Sequence, residues 1–145
     1  MSPVSQHAWR ILIRRSLGLR AAYRRAAAVV DEPGLRSVLE ENAQRLDQLI
    51  AEWRAQCRRP GEAVPRQRWL DAVRRRVDAW RWRAMPRSDV LWIRLLARDE
   101  TALLHSFELA LAQASAETAP LLYRQWPRLD AIHRDMRSLA QAVGY

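Results

Sequence analysis

Asp130 and His133 stand three residues apart in "LDAIHRDM". At that spacing a carboxylate and an imidazole project from one helix face and can share a metal ion. Glu100, in "LLARDETALLH", falls inside an apolar stripe of Trp92, Leu96, Leu103, Phe107 and Ala110. A carboxylate facing a core needs a counter-charge, a proton or an ion. Glu41, in "LEENAQ", is a fourth candidate ligand. These are fragments of a dimetal carboxylate centre, in which two helices of a bundle each give one Glu and the other two each give Glu-x-x-His. Iron or manganese held there would support oxidase or peroxide chemistry.

The pattern is incomplete. Glu41 is followed three residues on by Gln44, where a histidine is required. The first helical segment contains no Asp or Glu before Asp31, and its residue at the relevant level is Gly18 or Arg20. A guanidinium there repels a dication and pairs with carboxylates instead. A symmetric dimetal site is therefore not expected, and no cofactor is required. The alternative is one weakly held iron or manganese ion on Glu100, Asp130 and His133, with Glu41 nearby.

Four long helical patterns must position these groups. The first spans about 4–30, with Ala8, Leu12, Leu19, Tyr23, Ala26 and Val30 on one face. "DEPG" breaks the chain, with Pro33 suited to a first helical turn and acids suited to a helix N-terminus. The second spans about 33–58, with Leu35, Leu39, Asn42, Leu46, Leu49 and Trp53 inward. The third spans about 88–115, opened by Ser88 as N-cap with Asp89 in the first turn. The fourth spans about 119–142, with Leu122, Leu129, Ile132, Met136, Leu139 and Val143 as its stripe and Pro127 as an expected kink.

Short connections make neighbours antiparallel. The link from Arg58 to Arg87 is long enough to return along a helix of ~40 Å, and it carries a shorter amphipathic helix at about 66–84. The predicted fold is all-α: two antiparallel hairpins joined by one long crossover, the ferritin-like form of the four-helix bundle, in one domain over 1–145. Counted from the end where the first two helices join, Arg20, Tyr23, Asn42, Glu100 and His133 share a layer whose offsets differ by only ~8 Å. This layer is expected to be a satisfied polar one. Glu100 would be paired by Arg20 or His133, with Tyr23, Asn42 and Ser16 completing the hydrogen bonds.

"GLRAAYRRAAAVVDEPGLRSVLEENAQRLDQLIAEW", "LARDETALLHSFELAL" and "LDAIHRDMRSL" together resemble the bacterial ferritin-like family called domain of unknown function 2383. The shared features are a Tyr followed by small residues, an acidic-Pro turn, and a Leu-rich helix with polar residues at its centre. The resemblance covers nearly the whole chain and is weakest in the crossover. It implies the four-helix fold and a distant ferritin relationship, and no established activity.

The formal charge is +9, and every basic residue counted is Arg. Arg in place of Lys, with one Asn and one Phe, is the signature of a GC-rich genome, so part of this charge is compositional. Its distribution is more informative, because residues 58–87 hold ten Arg against three acids. Within "RQRWLDAVRRRVDAWRWRAMPR" the apolar side is Leu70, Val73, Val77, Trp80 and Ala84, while Trp82 turns the other way among Arg74, Arg75, Arg81 and Arg83. That face either covers the bundle, with Trp82 packed under a loop near Met85–Pro86, or suits a protein partner or self-association. Stacking on bases or an anionic membrane surface is the less supported alternative, since no nucleic-acid motif accompanies it.

The remaining candidates are weaker. His105 and Glu108 form another i, i+3 pair, off the main stripe and expected in solvent. One cysteine, Cys57, excludes an intrachain disulfide and a cysteine zinc cluster. No apolar run is long enough for a membrane span and no signal peptide is legible, so the expected compartment is the cytoplasm. Function is expected in binding or assembly, not catalysis. A buried Glu100 predicts that Glu100→Gln keeps the fold while Glu100→Leu costs ~2–4 kcal/mol by stranding its donor. A thermal midpoint unchanged by Glu100→Leu contradicts that burial.

Overall fold

The computed structural model describes residues 3–57 and 88–143. Four α-helices account for nearly all of them: α1 (Pro3–Val29), α2 (Pro33–Cys57), α3 (Asp89–Ala112) and α4 (Ala119–Ala142). The crossover helix expected at 66–84, with Arg74, Arg75, Arg81, Trp82 and Arg83, lies outside the described residues.

Contacts between helices fix their directions. The Asp31 amide, just past the end of α1, donates to Asp89 Oδ1 at the start of α3 (3.3 Å). Trp53 near the end of α2 bonds Gln125 near the start of α4, and Arg45 reaches Asp135. α1 therefore runs antiparallel to α2 and α3, and α4 runs antiparallel to α2 and α3. α2 and α3 start at the same end of the bundle. α1 packs on α2 and α3, and α4 packs on the same two helices.

The apolar stripes meet in one core. Leu12, Tyr23, Leu39, Leu46, Leu49, Trp53, Leu96, Leu103, Phe107, Leu122 and Leu129 are among its fully buried side chains. Trp53, Phe107 and Trp126 form an aromatic chain across it, with centroids 6.3 Å and 5.6 Å apart and rings tilted. Such tilted pairs contribute beyond the area they bury. Trp9, absent from the expected stripe of α1, is buried as well.

The turn 30–35 shows how a short sequence ends one helix and begins another. The Glu32 carbonyl accepts the first helical bond of α2, from Arg36 N (3.1 Å). Its carboxylate curls back onto the amides of Gly34 (3.0 Å) and Leu35. Two donors that the helix leaves unpaired are thereby met. A Cβ on Gly34 would stand 3.1 Å from both carboxylate oxygens, so glycine makes room for this cap. Arg36 then reaches back to the carbonyls of Ala27 (3.0 Å) and Val30 (2.8 Å), closing the end of α1.

Two boundary expectations change. α3 stops at Ala112, three residues short of the expected end. The Ser115 and Thr118 hydroxyls pair (2.8 Å), and Thr118 N bonds Ser115, building a turn that competes with the helix. Ser88 is the N-cap of α3 by its extended backbone, but its side chain makes no capping bond. α4 is continuous through Pro127. Pro127 and Tyr123, whose carbonyl the ring cannot serve, both lie on the exposed face, where water can substitute.

Glu32→Ala is expected to lower stability by ~1 kcal/mol through loss of the cap. Urea unfolding of the two proteins checks this, and an unchanged midpoint would show that water serves the two amides equally well.

Candidate functional site

Glu100 is fully buried, as its place in the α3 stripe requires. Its partner is Tyr23, whose hydroxyl donates to Oε2 at 3.1 Å across the α1–α3 contact. Oε1 has no hydrogen-bond partner. Asn42, on α2, is also fully buried. Its amide stands beside the Tyr23 hydroxyl and favours the phenolate, yet neither of its polar atoms completes a hydrogen bond.

Desolvation dominates this layer. Burial pushes the Glu100 carboxyl up to about 8; the Tyr23 hydrogen bond opposes the rise, and Asp99 nearby adds to it. Burial also raises the Tyr23 phenol well above its ordinary value, with the Glu100 carboxylate adding to the rise. At neutral pH Glu100 is therefore mainly the neutral acid. A neutral carboxyl carries a hydroxyl that can donate, and the unpartnered Oδ1 of Asn42 is an acceptor in the same layer. The arrangement can hold one proton in a dry interior.

The expected counter-ion is thus corrected. Arg20 does not face Glu100. It pairs with Asp47 of α2, together with Arg24 (2.7 Å), at the α1–α2 edge. Arg20 lies three residues before Tyr23, which turns its side chain about 60° around the helix, away from the core. His133 does not pair with Glu100 either. It is half-buried on α4, and its Nδ1 is enclosed without a partner. Ser16 is fully buried, but it lies two helical turns, ~10 Å, from Tyr23 along α1, and its hydroxyl has no partner. A proton on Glu100 replaces the guanidinium that sequence spacing suggested.

The candidate metal ligands are dispersed. Glu41 is exposed and bonds Arg45 one turn on (2.6 Å). Asp130 pairs with Arg134 (3.0 Å). Among the described residues no group of three or more His, Cys, Asp or Glu side chains is placed to hold an ion. His105 and Glu108 are exposed, 3.9 Å apart, as their position off the stripe implied.

A second buried polar position was missed in the sequence. Gln125 is 1% exposed and accepts the Trp53 indole N–H at 2.8 Å. Its amide nitrogen points to Glu52 (3.5 Å), which Arg128 grips through one nitrogen at 2.9 and 2.6 Å. Gln125 sits between Leu122 and Leu129 at helical spacing. The criterion that singled out Glu100, a polar residue inside an apolar stripe, would have found it.

Comparison with known proteins finds no match among family models, curated proteins or solved structures. Function must therefore be argued from the side chains themselves.

The raised acid gives a pH dependence of definite sign. Between the usual value of 4.5 and about 8 the folded state binds the Glu100 proton and the unfolded state releases it. Folding stability on this account is greatest at low pH and falls as pH rises through that window, by on the order of 4–5 kcal/mol. Glu100→Gln keeps a neutral side chain of the same shape and abolishes this component. The stability difference between Glu100→Gln and the parent, from urea unfolding, should grow in favour of the variant from pH 5 to pH 8. Equal differences at both pH values would contradict a neutral, buried acid.

Proposed function

We propose that this chain is a ferritin-like four-helix protein, akin to domain of unknown function 2383, that acts by binding or assembly and not by catalysis. Its interior serves architecture. The binding residues of this proposal are those of the Arg/Trp-rich crossover, Arg74, Arg75, Arg81, Trp82 and Arg83, and the partner is another protein or a second copy. The observation that carries this proposal is the use made of the carboxylates. Glu100 is bonded to Tyr23, while Glu41 and Asp130 are spent on Arg45 and Arg134. A dimetal centre needs these groups converging on one point, with a further carboxylate from α1, and α1 has none.

The ferritin-like part is supported by helix direction. Two antiparallel hairpins with α2 and α3 starting at one end require a link that returns along the bundle, and residues 58–87 are long enough for it. The binding part is supported by charge and aromatic placement in that link. Arginine fixes planar acceptors bidentately and stacks on aromatic rings, which suits an interface better than a solvated loop. No described helix is long and apolar enough to cross a membrane.

Two measurements test this. Light scattering and partner capture with the parent and with Arg75→Ala/Trp82→Ala should show association lost in the variant while the helical circular dichroism is unchanged. Titration with duplex DNA and with anionic vesicles at two salt concentrations separates the competing surfaces, since phosphate contacts weaken steeply with salt. Salt-sensitive binding to either, abolished by the double substitution, would move the partner class away from protein. Elemental analysis addresses the alternative. Stoichiometric iron or manganese in the purified protein, lost in Glu100→Ala, would overturn the non-catalytic proposal.

A further inference from the structure

On the face where α3 meets α4, level with Glu100, lies a groove of about 450 Å³. That volume lies within the usual range of small-ligand pockets, ~300–1,000 Å³. Ala97 and Ala140, both buried, form an apolar floor. Arg98 and Arg137 border it, with Thr101, His133 and Gln141 completing the wall.

The electrostatics of this groove are one-sided. Arg137 is exposed and has no ion-pair partner among the described residues. Arg98 has only Asp99, at 3.9 Å, and remains 70% exposed. Among the described residues no carboxylate lines the groove. Elsewhere the cross-helix arginines are engaged: Arg20 and Arg24 on Asp47, Arg45 on Glu41 and Asp135, Arg128 on Glu52. Two exposed arginines thus border one concavity.

His133 adds a direction. Its Nδ1 is enclosed on the protein side and unpartnered. The second ring nitrogen, Nε2, lies on the opposite edge of the ring. Asp130, whose spacing from His133 suggested a metal-ligand pair, is held by Arg134.

We infer that this α3–α4 groove binds a small anionic organic molecule, with a carboxylate or phosphate group held between Arg98 and Arg137 and an apolar body seated on Ala97 and Ala140. Guanidinium forks match the planar carboxylate and the phosphate oxygens equally. The alanine floor leaves depth for a ring or short chain and offers nothing to a cation. The inference does not depend on whether residues 58–87 bind a partner.

Phenyl phosphate, benzoate, inorganic phosphate and benzylamine are suitable probes, followed by calorimetry and by amide chemical shifts of the full chain. Phenyl phosphate or benzoate should saturate the protein and shift Thr101, His133 and Gln141. Inorganic phosphate should bind more weakly, and benzylamine should not bind. Which of the two aromatic anions binds more tightly distinguishes phosphate from carboxylate ligands. Arg137→Ala and Arg98→Ala should each weaken binding about tenfold or more, and Arg137→Glu should abolish it. Arg134→Ala, on the same helix but engaged with Asp130, should leave it unchanged. Arg137 is exposed, so these variants are expected to fold, and circular dichroism confirms it. Binding of benzylamine as tight as that of phenyl phosphate, insensitivity to Arg137→Glu, or absence of saturable shifts at the groove would overturn the inference.

Discussion

A single hydrogen bond at the centre of the bundle, from the Tyr23 hydroxyl to Glu100, sets the terms for much of the interior. An ionised carboxylate in that position would cost several kcal/mol in lost hydration. Among the described residues Tyr23 is the partner it finds, and Arg20 and Arg24 of α1 are turned outward to Asp47 on α2. The remaining solution is to keep the acid neutral, and its ionisation is accordingly shifted toward the physiological range. The interior thus holds a proton on Glu100.

Such a layer adds little to stability, and its use is in register. A carboxyl on α3 that must find a phenol on α1 forbids slipping one helix past the other by a turn, since a turn displaces the partner by 5.4 Å. Trp53 and Gln125 impose the same condition between α2 and α4. The half-exposed ion pairs, Arg20 and Arg24 with Asp47 and Arg128 with Glu52, reinforce the same helix contacts from outside. Individually such pairs contribute little. Their second effect is to neutralise carboxylates at the helix contacts they join.

Several residues illustrate how far spacing alone can be trusted. The stripes were legible: Leu39, Leu46, Leu96, Leu103, Leu122 and Leu129 are all inside, and Glu100 with them. The "DEPG" turn was legible as a helix boundary, though the reach of Arg36 back to Ala27 and Val30 was not. Arg20 was assigned to the right depth and the wrong azimuth. Depth follows from a rise of ~1.5 Å per residue, whereas azimuth changes by ~100° per residue, so Arg20, one step past the buried Leu19, sits at the edge of the stripe and not inside it. Ser16 failed the other way, inside but two turns from the acid it was meant to serve.

The amino-acid sequence by itself determined four amphipathic helices, their ends to within about three residues, the burial of Glu100 and the lack of a carboxylate on the first helix before Asp31. These are properties of one helix at a time, fixed by a period of ~3.6 and by local turn chemistry. The tertiary structure alone decided that Tyr23 holds Glu100, that Asp47 takes Arg20, that Gln125 satisfies an indole, and that Arg98 and Arg137 flank one groove. Those are pairings between helices. They depend on the rotation and axial offset of each helix against its neighbours, which the packing of all the stripes sets jointly and no single segment encodes.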